Sequence, residues 1–405
     1  MQNFFTKRNL IIALIIIFAV VGAVIWYLSR PAVPATSESG GGFFSRLFPS
    51  GGERPLTESE KKKLEEERGG GLPPLVSGAQ KPLSQKLVPE SVSGATWIKN
   101  PSTNSGQGKV RYIERETGHV FEIDPDGQNK TRISNTTIPG IFEVVWSPSG
   151  ERAVLKYLSQ ENLNMLSVRF TASSTQGIFL SPDIKDITFS PKGDRIAYVL
   201  ASEEGSSIIT ATPDNKSQRA ILSNPLRDWR VYWPEENNIY LVNAPSAFSD
   251  GFLYRLNLAT GLSEKLLGPK LGLEISTNGR DVVLSESDRD NQTILSFLLN
   301  IGTRKIKTAS LKIIPKKCAW SKLDKNELFC ALPAPLPPAV FPDDWYQGKI
   351  SFSDILAKIN TANLSAEGFD LEGGPDAVNP FLSGDENIFF YTDRRDGSLW
   401  KINLK

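Results

Sequence analysis

Few side chains in this 405-residue chain suit bond-breaking chemistry, because it holds one histidine and two cysteines. His119 lies in Glu116-Thr117-Gly118-His119-Val120, a turn between apolar residues, where an imidazole is expected to be solvated. One His and two Cys cannot complete the usual four-ligand zinc set without carboxylates. No Ser, His and Asp arrangement for nucleophilic catalysis is evident. Asp124-Pro125-Asp126-Gly127 and Asp288-Arg289-Asp290-Asn291 have the acidic density of calcium loops but no glutamate at EF-hand spacing. They read as inter-strand turns. The chain is accordingly expected not to be an enzyme and to carry no catalytic, cofactor-binding or metal-binding residue.

Two further groups could do chemistry of another kind. Cys318 and Cys330 stand symmetrically about Asp324, so antiparallel strands on either side of a turn would bring them face to face. A disulfide in an oxidising compartment is one reading; two reduced core thiols are the other. Just beyond, residues 333–348, PAPLPPAVFPDDWYQG, combine five prolines with Asp343 and Asp344 and with Phe341, Trp345 and Tyr346. Aromatic and acidic groups on a long loop have the composition of a recognition hot spot, which makes those five the candidate interaction residues. A lid packed on its own strands is the competing role.

The elements that must position these residues are short strands. Twenty-seven prolines and 32 glycines, with few long helical patterns, predict an all-β fold punctuated by turns. From residue 84 onward one pattern returns: an apolar or aromatic residue, a turn, then an alternating apolar strand. Copies begin Trp146-Ser147-Pro148-Ser149-Gly150, Phe189-Ser190-Pro191-Lys192-Gly193, Tyr232-Trp233-Pro234 and Ile275-Ser276-Thr277-Asn278-Gly279, each start 43 residues after the last. Others begin at Trp320 and Phe381, and one lies upstream around Trp97.

A period of ~40–45 residues built of strand-sized pieces is that of four-stranded propeller blades. Seven copies therefore predict a seven-bladed β-propeller over residues 84–405. From Trp320 to Phe381 is 61 residues, 18 above the common period, and residues 333–348 supply the excess. The last copy ends with the chain after a third strand, so Gln85-Lys86-Leu87-Val88 is expected to serve as its fourth and clasp the ring, covering two open sheet edges. The copies Ser147-Pro148-Ser149-Gly150 and Ser190-Pro191-Lys192-Gly193 resemble the WD40-like repeats of TolB-type bacterial propellers. Ser149 and Lys192 stand where that family commonly has Asp. The resemblance implies the fold; it carries over no binding residue, because no binding motif is matched.

Residues 10–28, LIIALIIIFAVVGAVIWYL, hold no charge and no proline, and about 20 such residues cross a hydrocarbon core as a helix. Lys7 and Arg8 precede them, and Trp26 and Tyr27 sit at the far end. This predicts a cytoplasmic tail at residues 1–9, one transmembrane helix, and a propeller outside the cytoplasmic membrane. A cleaved signal peptide near Val33-Pro34-Ala35 competes with it. Residues 29–83, rich in Ser, Gly, Pro and charge, read as a flexible linker. A net charge of +1 offers nothing to nucleic-acid phosphates. The expected function is a membrane-anchored, extracytoplasmic protein-binding or scaffolding module for another envelope or surface protein. The alternatives are a hydrolase or lyase using channel carboxylates, or a sensor of small ligands.

Overall fold

The computed structural model describes residues 84–99, 108–171, 175–288, 290 and 292–405, all within one compact unit. The expected tail, membrane span and linker lie outside these residues; among the described ones, no helix is long and apolar enough to cross a membrane.

The repeat becomes structure through its turns. Ser147 is buried at the exit of a first strand; its hydroxyl accepts a hydrogen bond from the Arg152 amide at 3.0 Å, and Gly150 N donates to Ser147 O at 2.9 Å. Ser190 and Gly193 repeat both bonds, at 3.1 and 2.9 Å. Gly150 has φ +71°, and a Cβ there would meet Ile98 Cγ2 at 2.5 Å, so both the backbone and the neighbouring blade demand glycine. In the last copy Ser383 plays the same part, but the left-handed residue is Glu386 (φ 56°), not the Gly384 of the motif.

Seven antiparallel four-stranded sheets result: residues 92–132, 141–180, 184–224, 229–271, 274–309, 318–369 and 377–403, blades 1 to 7. In blades 1 to 6 the strands lie in chain order, whereas in blade 7 the fourth strand is Gln85–Val88 beside Leu399–Asn403. Gln85 pairs with Lys401 and Val88 with Leu399, as the sequence predicts. Blade 1 is thin at its rim, with an outer strand of only Thr131–Arg132.

The core is divided among the junctions. One cluster joins Val154, Met165 and Leu180 of blade 2 to Ile187, Phe189 and Tyr198 of blade 3. Corresponding clusters fill each of the other six junctions. At the closure, Leu87 and Val88 of the clasp pack with Val110, Tyr112 and Ile123 of blade 1 and Phe390 and Leu399 of blade 7. Each blade thus covers its apolar faces only with its neighbours' help.

Candidate functional site

Each blade is a meander. The links from second to third strand and from blade to blade therefore share one end of the ring, here the loop end. The first-to-second and third-to-fourth turns share the other, the turn end. Backbone bonds join each set, such as Ala201 N to Asp183 O (3.1 Å) and Arg394 N to Asp376 O (2.9 Å) at the loop end. At the turn end, Ile301 N donates to Arg280 O (2.9 Å) and Thr361 N to Asn326 O (2.7 Å).

The long segment of blade 6 joins its second strand, ending at Pro333, to its third, starting at Asp354, so it belongs to the loop end. It folds over the mouth of the ring instead of standing free. A short helix, Asp343–Tyr346, carries the candidate residues. Phe341 is 1% exposed and Trp345 3%, and they form a small apolar cluster with Ile294, Ile314 and Phe352. Asp343 accepts hydrogen bonds from Ala247 N (2.7 Å) and Ser246 Oγ (3.0 Å) of blade 4. Ser287 of blade 5 donates to Phe341 O, and Arg394 of blade 7 to Trp345 O at 2.7 Å. Asp344 accepts from Val340 N and pairs with Lys349, both at 2.9 Å, and these bonds hold its carboxyl below the usual range. The segment is a plug spanning blades 4 to 7, wider than a lid on its own blade.

Beneath it lies a buried charge cluster. The Lys317 ammonium is 2.6 Å from Asp354 Oδ2 and 2.5 Å from Asp376 Oδ1, all three side chains at 0% exposure. Trp345 Nε1 donates to Asp376 Oδ2 at 3.1 Å, and the ammonium sits 4.6 Å from the Phe352 ring centre. Burial pushes the Asp354 carboxyl up to about 6 despite the adjacent ammonium. Next to this, Tyr346 donates to Glu274, and burial raises both groups. The other Glu274 oxygen has no partner; the residue lines a cavity of about 10 Å³, room for roughly one water.

Blades 2 and 3, up to their border with blade 4, lie outside the plug's anchoring contacts. There Lys156 pairs with Glu143 at 3.0 Å, and Asp186 accepts from Val231 N at 2.7 Å with Arg230 3.8 Å away. At the same end Phe142 is 46% exposed, Leu158 55%, Leu226 49% and Phe248 74%. An open depression of about 500 Å³ at the border of blades 3 and 4 is lined by Asp183, Lys185, Glu203, Arg227 and Asp228.

The remaining sequence candidates lie elsewhere. Cys318 and Cys330 form a disulfide across the first two strands of blade 6. His119 sits at the rim of blade 1, with Nε2 at 2.9 Å from Arg132 and 3.1 Å from Thr137 Oγ1. The loop-end charges escaped the sequence reading although a signal existed: Glu143, Asp186 and Lys317 each precede a repeat-starting aromatic, Trp146, Phe189 or Trp320, by three residues.

No family model matches the chain, and no curated protein does. Solved structures do match by fold. An oligogalacturonate lyase in complex with manganese aligns with TM-score 0.51 and 9% identity, over 81% of this chain and 99% of that one. A β-propeller domain from Myceliophteria thermophila aligns with TM-score 0.52 and 10% identity, over 80% and 100%. TolB from Acinetobacter baumannii gives 0.44 and 12%, over 71% and 66%.

At such identities the likeness shows the fold alone, an all-β propeller. It also corrects one expectation. The chain was read as no enzyme because its propeller lacks an obvious reactive cluster, yet a lyase shares that fold, and the architecture excludes no catalysis. Among the described residues no group of three or more His, Cys, Asp or Glu side chains converges to hold a metal ion. No donor set among the described residues fits a manganese ion.

Proposed function

We propose that this chain is a tethered recognition module whose loop end meets a protein of the cell envelope or surface. Residues 10–28 anchor it in the cytoplasmic membrane with the amino terminus inside, and residues 29–83 give the propeller reach. The observation that supports this best is that Phe142, Leu158, Leu226 and Phe248 are all exposed at one end of the ring, where charged residues line an open depression. Apolar anchors within a polar border are how protein interfaces concentrate their energy.

Crosslinking in intact cells followed by mass spectrometry tests it. A distinct protein should be recovered with the native chain and fall roughly tenfold or more with Phe142→Ala plus Phe248→Ala. Equal recovery from both chains sinks the proposal.

A second reading has one observation in its favour: Glu143, Lys156, Asp186 and Arg230 gather on the unplugged side of the mouth. Such groups could serve acid–base chemistry on a substrate entering there, and the lyase with this fold makes an acidic oligosaccharide the first to try. Turnover that vanishes in Asp186→Asn supports this reading, and the absence of turnover in the native chain rejects that substrate.

A further inference from the structure

The axis of the ring, beside the plug, holds cations that the fold leaves uncommitted. Each first strand is an edge of its sheet, and the first strands of blades 1 to 4 touch one another in turn, so these edges line the axis. In Trp229–Glu235, Trp229, Val231 and Trp233 pack into the junction with blade 3, so Arg230 and Tyr232 take the other face. Asp186 of blade 3 accepts the Val231 amide with one oxygen, and its other oxygen is 3.8 Å from the Arg230 guanidinium. The Arg230 side chain is 45% exposed and has no hydrogen-bond acceptor among the described residues. Lys316 comes from the 3-10 turn Pro315–Lys317, which touches the first strands of blades 5 and 7. It is exposed, stands 5.4 Å from the centre of the Tyr346 ring, and makes no ion pair among the described residues. Glu274 of blade 5 is close enough to both cations for each to favour its ionised form, although burial outweighs them and raises its carboxyl. One Glu274 oxygen accepts from Tyr346; the other has no partner, in a residue only 4% exposed. Burial favours the protonated form, in which that oxygen is a donor without an acceptor.

We propose that this channel binds a small carboxylate, the Arg230 fork meeting its two oxygens and Lys316 supplying a second cation. A guanidinium offers two parallel N–H groups that match a carboxylate, and away from bulk water such charge-assisted bonds are strong. Tyr232 adds a hydroxyl with no hydrogen bond among the described residues, near enough to Arg230 and Glu274 to feel both charges. Asp186 and Glu143 also act on Arg230. Their negative charge suits the site to a monoanion better than to a phosphate dianion. Arg230 figures in the catalytic reading above as well, but carboxylate binding needs neither turnover nor an envelope partner and is tested apart from both.

The test is fluorine NMR of para-fluorobenzoate with the full chain in nonionic detergent micelles. The native chain should broaden the resonance, and excess acetate should sharpen it again, whereas chloride at equal ionic strength should not. Para-fluorobenzamide, the same ring without the charge, should stay sharp. Arg230→Gln and Lys316→Gln should each weaken binding roughly tenfold or more, the loss of one charge-assisted bond. Arg219→Gln, exposed on the outer strand of blade 3, should leave it unchanged. Arg230 and Lys316 are both exposed, so each variant should melt as the native chain does. The site is overturned by an absence of broadening, by equal broadening of the amide, or by unchanged affinity in either variant. Displacement by inorganic phosphate at lower concentration than by acetate overturns the assignment to a carboxylate.

Discussion

Fully buried between two carboxylates, the Lys317 ammonium leaves its site one negative charge over if Asp354 and Asp376 are both ionised. Burying that excess is costly, which is why Asp354 takes its proton near pH 6 instead of at the ordinary 3.8. A folded-state value above the unfolded one means that the native protein binds the extra proton. The stabilising contribution is therefore complete below about 3.8 and lost as pH rises through about 6. Asp354→Asn cannot make this loss. Its unfolding free energy, measured against urea and compared with the native chain, should improve in relative terms as pH rises across that window. A flat difference would assign the burial strain to another group. In the sequence Lys317 stands three residues before the repeat-starting Trp320, but nothing local marks Asp376, 59 positions on, as its partner.

The plug illustrates what element-scale pattern can and cannot carry. Eighteen residues beyond the 43-residue period located the insertion by arithmetic, because blades leave no room for extra chain except in their links. Its composition fitted either a recognition loop or a lid packed on its own strands, and the structure turns Phe341 and Trp345 inward. The deciding pull is apolar: Phe341 and Trp345 pack with the segment's own Phe352 on Ile294 and Ile314 of the ring, which gains more than leaving indole and phenyl rings in water. Trp345→Ala should accordingly destabilise the chain by about 3–5 kcal/mol in denaturant unfolding. A loss of a few tenths would mean that the segment hangs free in solution. The turns were read more faithfully than the plug, since Ser147 and Gly150 act on residues within five positions.

For the whole molecule the question is closure. Seven junction clusters make a ring with no end, but only while Gln85–Val88 stays paired to Leu399–Asn403. Deleting residues 84–88 would expose the edge of blade 7 and remove Leu87 and Val88 from the junction with blade 1, at about 1.5–3 kcal/mol for each side chain. The thermal midpoint should fall by several degrees, and an unchanged melting curve would show that the clasp carries no stability.

By itself the sequence determined the all-β class, the count of seven, the clasp and the position of the insertion, all consequences of short-range periodicity and of turn chemistry local to each repeat. Tertiary structure alone decided that the insertion folds over part of the mouth and that Lys317 meets two aspartates there. Those outcomes depend on which blades become neighbours in space. Stacking brings residues from separate repeats within 3 Å of one another, and no local spacing along the chain records that.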